Sequence, residues 1–290
     1  MISFKRILFP VDFSSPCGAV VPSIQAMVKR FHAELIVLHV VDMPTATWYA
    51  PAEAAAWATL INADKLRDAG QVSLDRFIAQ HLSDMPVVPR LLEGDPSEGI
   101  IDCAKEEHVD LIMMPTSGRG PFRRLLLGSV TAKILHDAHC PVWTGVHAGQ
   151  LAAHPADRWK RVLCAIDTDD RDVRVLRWAA QFTADQQIEL RLVHAVVGAD
   201  SLEADKDPAM HAFLMGIARE RIAKMQEEAG TCLEVCVLGG NIAQAVRQAV
   251  VGHDSDLIVI GRGVLQKPLG RLRSGAYSII REAPCPVISI

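Results

Sequence analysis

No apolar run in this 290-residue chain approaches the roughly 18 to 20 residues that a membrane-spanning helix needs. The opening Met1-Ile2-Ser3-Phe4-Lys5-Arg6 leads straight into a strand pattern and lacks the hydrophobic stretch of a signal peptide. A cytoplasmic protein without membrane contact is therefore expected. Close C-x2-C pairs are missing too: the seven cysteines (Cys17, Cys103, Cys140, Cys164, Cys232, Cys236, Cys285) are odd in number and scattered, which argues against a disulfide framework. Cys232 and Cys236, four apart on one face of an expected strand, read as reduced core thiols. The His136-x2-His139-Cys140 cluster reads as a helix end whose histidines cap carbonyls, not as a metal site. Excess positive charge is also lacking. Net charge is −4, with 13 basic against 16 acidic residues up to position 150 and 17 against 18 beyond it, so neither half has the charge of a general nucleic-acid binder. No Gly-x4-Gly-Lys-[Ser/Thr] loop occurs, and no lysine stands beside the glycine-rich loop of the first half, so γ-phosphate chemistry has no recognisable apparatus.

What is present is one pattern stated twice. Arg6-Ile7-Leu8-Phe9-Pro10-Val11-Asp12 returns as Arg161-Val162-Leu163-Cys164-Ala165-Ile166-Asp167, and His139-Cys140-Pro141-Val142-Trp143 as Pro284-Cys285-Pro286-Val287-Ile288. Between these anchors Leu38-His39-Val40 matches Val193-His194-Ala195, Glu93-Gly94 matches Leu238-Gly239, and Asp110-Leu111-Ile112 matches Asp256-Leu257-Ile258. A repeat of roughly 150 residues is a whole domain and not a solenoid unit. With 50% hydrophobic and 22% charged residues, each copy has the apolar content for its own core. The expected division is a first domain at 1–147, a linker at 148–158 and a second domain at 159–290.

Each copy alternates short, nearly continuous apolar runs with longer helix-patterned stretches, the mark of a parallel sheet covered on both faces. Strands are expected near 5–11, 34–41, 87–92, 110–114 and 141–146, and again near 160–166, 188–196, 233–238, 256–260 and 286–290. Ser14 is a candidate N-cap with Pro16 in the first turn, Thr168-Asp169-Asp170 are the matching caps, and Pro22 is expected to distort the first helix. The excursions at 42–55 and 201–208 read as surface loops or lids. Right-handed crossovers then give an α/β fold of two Rossmann-like domains with helices on both faces. In such sheets ligands sit beyond the carboxyl ends of the strands, which directs attention to Asp12 and to the loop that begins at Pro115.

That loop, Pro115-Thr116-Ser117-Gly118 through Gly128-Ser129-Val130, has glycines that permit close backbone approach, serine hydroxyls, and a helix start whose N–H groups suit an anion. On these residues, the Pro-x-Asp-x-Ser opening at Pro10, Asp12 and Ser14, the Leu-His-Val of strand 2, the Gly-x2-Gly-x9-Gly-Ser pattern and the closing Cys-Pro-Val strand, the chain resembles the universal stress protein family in its tandem, two-domain form.

The resemblance implies a five-stranded parallel sheet of order 3-2-1-4-5 in each domain. It also implies an ATP or other adenine-nucleotide site formed in the first half by Val11, Asp12, Val40, Met114, Gly118, Gly128, Ser129 and Val130, with Asp12 a candidate for holding Mg²⁺. Pro115 departs from the pattern, standing where the family has its first glycine. The second half departs further: Asp167, Gly261 and Gly263 remain, but its loop is one residue shorter and puts Arg273-Ser274 where Gly128-Ser129 stands. Arg273 is expected to cross a vestigial pocket towards Asp167. The implied function is a nucleotide-binding regulator of the stress response with a protein partner, not an enzyme. A nucleotide-free scaffold and a slow ATP hydrolase are the alternatives. The two copies are expected to pair through their last strands as a pseudo-dimer within the chain, with further dimerisation open.

Overall fold

A computed structural model describes residues 2–42, 52–118, 127–145, 159–168, 172–184, 188–197, 208–262 and 274–290. The first half runs β1 (Arg6–Pro10), α1 (Ser15–Phe31), β2 (Glu34–Val41), α2 (Ala52–His81), β3 (Val87–Glu93), α3 (Pro96–Glu106), β4 (Leu111–Met114), α4 (Ser129–Asp137) and β5 (Val142–Thr144). The second repeats it as β6 (Arg161–Ala165), α5 (Asp172–Thr183), β7 (Glu189–Val196), α6 (Pro208–Ala229), β8 (Val235–Gly239), α7 (Ile242–His253), β9 (Leu257–Ile260), α8 (Ser274–Glu282) and β10 (Val287–Ser289). All ten strands form one sheet in the order β3-β2-β1-β4-β5-β10-β9-β6-β7-β8. Each half is parallel and has the expected 3-2-1-4-5 order. The linker and the tips of both excursions lie outside the described residues.

The central strands read as unbroken apolar runs because both of their faces are covered. Ile7 and Phe9 of β1 point into a core shared with α1, α2, α5 and α6, whereas Leu8 points into a second core with α3, α4, α7 and α8. The repeated Asp-Leu-Ile has a structural cause. Asp110 Oδ2 accepts the N–H groups of Lys5 and Arg6 at 2.7 and 2.9 Å, and Asp256 Oδ2 does the same for Lys160 and Arg161 at 2.7 and 2.9 Å. One carboxylate therefore ties the start of the fourth strand to the start of the first in each copy.

Pro22 lies inside α1, which runs as one helix of 17 residues. Some local expectations are corrected. Ser14 occupies the N-cap without a side-chain capping bond. Gly94 matches Gly240, not Gly239: both have positive φ (128° and 115°), and their N–H groups bond to Val41 and Val196. Cys232 is exposed and precedes β8, so it shares no strand face with Cys236. His136 pairs with its neighbour Asp137, and no metal-holding group of three His, Cys, Asp or Glu occurs among the described residues.

Asp95 caps α3 by accepting the N–H groups of Ser97 and Glu98, each at 2.9 Å. The Glu98 N–H is the largest influence and holds its carboxyl below the usual range; burial, the next largest, opposes it, and Lys133 and the Ser97 N–H add to the lowering. A carboxyl depressed in the folded state adds stability above its unfolded value, near about 4, and loses it as pH falls through the depressed one. The difference in urea midpoint between the native protein and Asp95→Asn is therefore expected to shrink between about pH 6 and about pH 3. A difference that stays constant with pH would remove the charge from the cap.

The two halves meet where β5 and β10 pair antiparallel, with Trp143 opposite Ile288. Thr144 Oγ1 donates to the Val287 carbonyl and Ser289 Oγ to that of Val142, each at 3.3 Å. Arg262 reaches across to the Cys140 carbonyl at 2.8 Å. The expected edge-to-edge contact is thus present, and it covers two sheet edges that would otherwise offer free backbone groups.

Candidate functional site

In the first half β1 lies between β2 and β4, so the crossovers leave it in opposite directions and a crevice opens beyond its carboxyl end. The crevice is a cavity of about 300 Å³. Val11, Asp12, Val40, Met114, Gly118, Gly128, Ser129 and Val130 all line it, together with Pro115. Residues far apart in the chain converge there because β1 and β4 end side by side and α4 begins directly above them.

Asp12 stands at the cavity floor. Its Oδ1 accepts the Ser14 N–H and the Cys17 thiol, both at 3.0 Å, which turns Oδ2 towards Gly118. A Cβ on Gly118 would overlap Oδ2, so glycine there is required by the aspartate's close approach and not by an unusual φ. Burial, and then the adjacent Asp12 charge, push the Cys17 thiol up to about 12, so it remains a neutral donor. His39 donates from Nδ1 to the Val11 carbonyl at 2.8 Å, and His194 repeats this with Ile166 at 3.0 Å, which accounts for the repeated histidine. Between Asp12 and Ser14, Phe13 has φ of 60°, an uncommon conformation for a bulky side chain. Contacts with His39 (4.3 Å between ring centroids) and Phe77 (5.9 Å) hold it there.

Opposite Asp12, α4 starts without a side-chain cap, so its first N–H groups face the cavity wall formed by Ser129, Val130 and Thr131. Pro115 has no N–H to offer a ligand, but its carbonyl accepts Thr131 Oγ1 at 3.2 Å and anchors this first turn, while Gly128 N–H bonds to the Thr116 carbonyl at 2.9 Å. The resulting site combines apolar walls, one carboxylate and a helix amino end. It can hold a flat apolar group with hydroxyls near Asp12 and an anion near α4.

The second half has a cavity of about 270 Å³ at the equivalent place, lined by Asp167 and Gly261 among others. Gly263 and Arg273 lie outside the described residues. Ser274 begins α8 as Ser129 begins α4, and Gly275 and Ala276 behind it reach the cavity. Asp172 also lines it, at the position equivalent to Cys17, and its Oδ2 accepts the Asp167 N–H at 2.5 Å. Sequence reasoning passed over Cys17, His39, Thr131 and Asp172. Only the matched offset of five residues, Asp12 to Cys17 and Asp167 to Asp172, could have singled out the first and last.

Two doubly wound domains in one sheet, each with a crevice at the point where its strand order reverses, place the chain among Rossmann-like α/β proteins. The profile of the universal stress protein family matches residues 3–144 and 158–290, and the chain belongs to that family in its tandem, two-domain form. A universal stress protein of Methanocaldococcus jannaschii is 31% identical over 141 residues, covering 48% of this chain and 80% of that protein. One from Thermus aquaticus is 31% identical over 144 residues, covering 48% of this chain and 96% of its own. The crystal structure of a universal stress protein from Archaeoglobus fulgidus covers 98% of this chain and 95% of its own with a TM-score of 0.63 at 22% identity, a likeness of fold.

Proposed function

We propose that the first half binds an adenine nucleotide, ATP foremost, and that its occupancy changes contacts with a protein partner in a cytoplasmic stress response. The observation that carries this reading is the convergence of the eight residues implied by the family resemblance on one cavity, with a carboxylate at one side and, among the described residues, a helix amino end without a side-chain cap at the other. A cavity of about 300 Å³ is at the lower end for a small-molecule site and suits the nucleoside, with the phosphates directed at α4. Asp12 is the carboxylate lining the cavity that would contribute to holding Mg²⁺, which would arrive with the phosphates and keep most of its ligands from them and from water.

The reading is of a binding protein and not an enzyme. Among the described residues the titratable groups lining the cavity are Asp12, Cys17 and His39. Asp12 Oδ1 accepts two donors, the Cys17 thiol is held neutral, and His39 Nδ1 is spent on a backbone carbonyl, so the described residues orient a ligand and assemble no pair of nucleophile and base.

Mass spectrometry of the denatured protein should release a retained adenine nucleotide, and calorimetry on the emptied protein should give one ATP equivalent per chain. Asp12→Ala is expected to weaken ATP roughly tenfold to hundredfold, as for lost hydrogen bonds to a charged group, without blocking access. Unchanged affinity in Asp12→Ala would take the nucleotide away from this crevice.

A further inference from the structure

The two cavities are close in volume and share apolar walls, a histidine on the strand-end carbonyl and a helix amino end; among the positions at which they differ, one lies beside the strand-end aspartate. We propose that this residue, Cys17 in the first half and Asp172 in the second, selects which cavity accepts an anionic nucleotide. The proposal rests on the reading of the first cavity as an adenine-nucleotide site.

In the first half the position supplies a neutral donor. The Cys17 thiol donates to Asp12 Oδ1 at 3.0 Å, so the cavity floor carries one carboxylate, held in orientation. In the second half the same position supplies an acceptor with a charge. Asp172 is buried at 8% exposure and fixed by the Asp167 N–H, and its Oδ1 lies 3.3 Å from where a Cβ on Gly261 would stand. Two carboxylates therefore line the floor at the crossing of the first and fourth strands, where copy one has a carboxylate and a thiol. Like charge at that spot opposes a polyphosphate through the low-dielectric cavity, and it opposes an uncharged nucleoside far less. Cys17 acts here as a positioning and selecting residue.

The test uses the full chain. Cys17→Asp and Cys17→Asn have nearly the same volume and differ in charge, so their comparison separates electrostatics from bulk even if both lose some stability. At about pH 8, Cys17→Asp is expected to bind ATP about tenfold or more weakly than Cys17→Asn, while their adenosine affinities agree within about threefold. The ATP difference should narrow towards about pH 5. Two adjoining carboxylates raise the pKa of one of them, so the repelling charge is titrated away as pH falls, and comparing the two variants cancels the protonation of ATP itself. Among the described residues the titratable groups around this position are Asp12 on the loop after β1, His39 on β2 and His81 of α2, which packs beside Gly18. A second arm blocks the first cavity with Gly128→Glu and adds Asp172→Cys, which should make ATP binding appear in the second half.

Wild type that binds no ATP overturns the nucleotide reading and the selector with it. Wild type that binds while Cys17→Asp and Cys17→Asn respond alike to ATP, or show the same response to pH, overturns the selector alone. No binding after Asp172→Cys overturns the second half of the proposal and puts the block elsewhere in that cavity.

Discussion

Gly128→Glu is expected to abolish ATP binding, a loss of at least about hundredfold, or roughly 3 kcal/mol, with the far-ultraviolet circular dichroism unchanged. Among the described residues nothing demands glycine at this position. Its φ of −60° and ψ of 143° are open to any residue, and an added Cβ would meet Thr131 Oγ1, Ser117 Cα and the Thr116 carbonyl at ordinary distances of 3.5 to 3.6 Å. Gly128→Ala should therefore fold normally and bind with little loss. Glutamate differs by reaching over the first turn of α4 with a carboxylate that occupies the anion's place and accepts the N–H groups intended for it, as acidic groups at helix amino ends do. Calorimetric titration of the three proteins provides the check. Equal affinity in native protein and Gly128→Glu would remove the amino end of α4 from the site. Gly118 behaves oppositely: any Cβ there strikes Asp12, so even alanine disturbs the floor.

The sheet was legible because its strands are buried on both faces and its turns repeat. Leu35 to Val41 reads as an apolar run broken only by His39, and it recurs at Leu190 to Val196 with His194 in the same register and Arg191 where Ile36 stands. The pairing of β5 with β10 followed from the need to cover two edges. The cavity residues were legible through the motifs that carry the family resemblance, as Gly118 and Gly128 illustrate for different physical reasons. What stayed hidden depends on three-dimensional neighbours. Phe13 has no sequence mark of a positive φ, since its strain is tolerated through His39 and Phe77, 26 and 64 residues away. Thr131 gains its role from the Pro115 carbonyl across a loop. The misaligned Gly94 shows the opposite error: Gly239 and Gly240 are adjacent, and only the backbone angle tells which one turns the chain into the helix.

Phe182→Ala is expected to destabilise the chain by about 3–5 kcal/mol, the usual cost of emptying a core aromatic site, and to loosen the coupling between the halves. Phe182 is 3% exposed and lies in an aromatic cluster that crosses the seam. Its ring is 5.1 Å from Trp178 and 5.7 Å from Trp159 in its own half, and 6.2 Å from Phe4 and 6.4 Å from Phe31 in the other. Arg30 adds a guanidinium 5.3 Å from the Trp159 ring. The three-residue pairing of β5 with β10 is a short ladder, and this shared core adds apolar burial from both halves to it. At roughly 2–4 °C per kcal/mol for a chain of this size, the first thermal transition should fall by on the order of 10 °C. The loss should also be uneven: the native protein is expected to melt in one transition, and with the seam weakened calorimetry should resolve two. Phe182→Leu keeps most of the volume and should cost less and leave the melting joint. A loss below about 1 kcal/mol in Phe182→Ala, or a single transition at the native midpoint, would show that the halves are held by the strand pairing and not by the aromatic cluster.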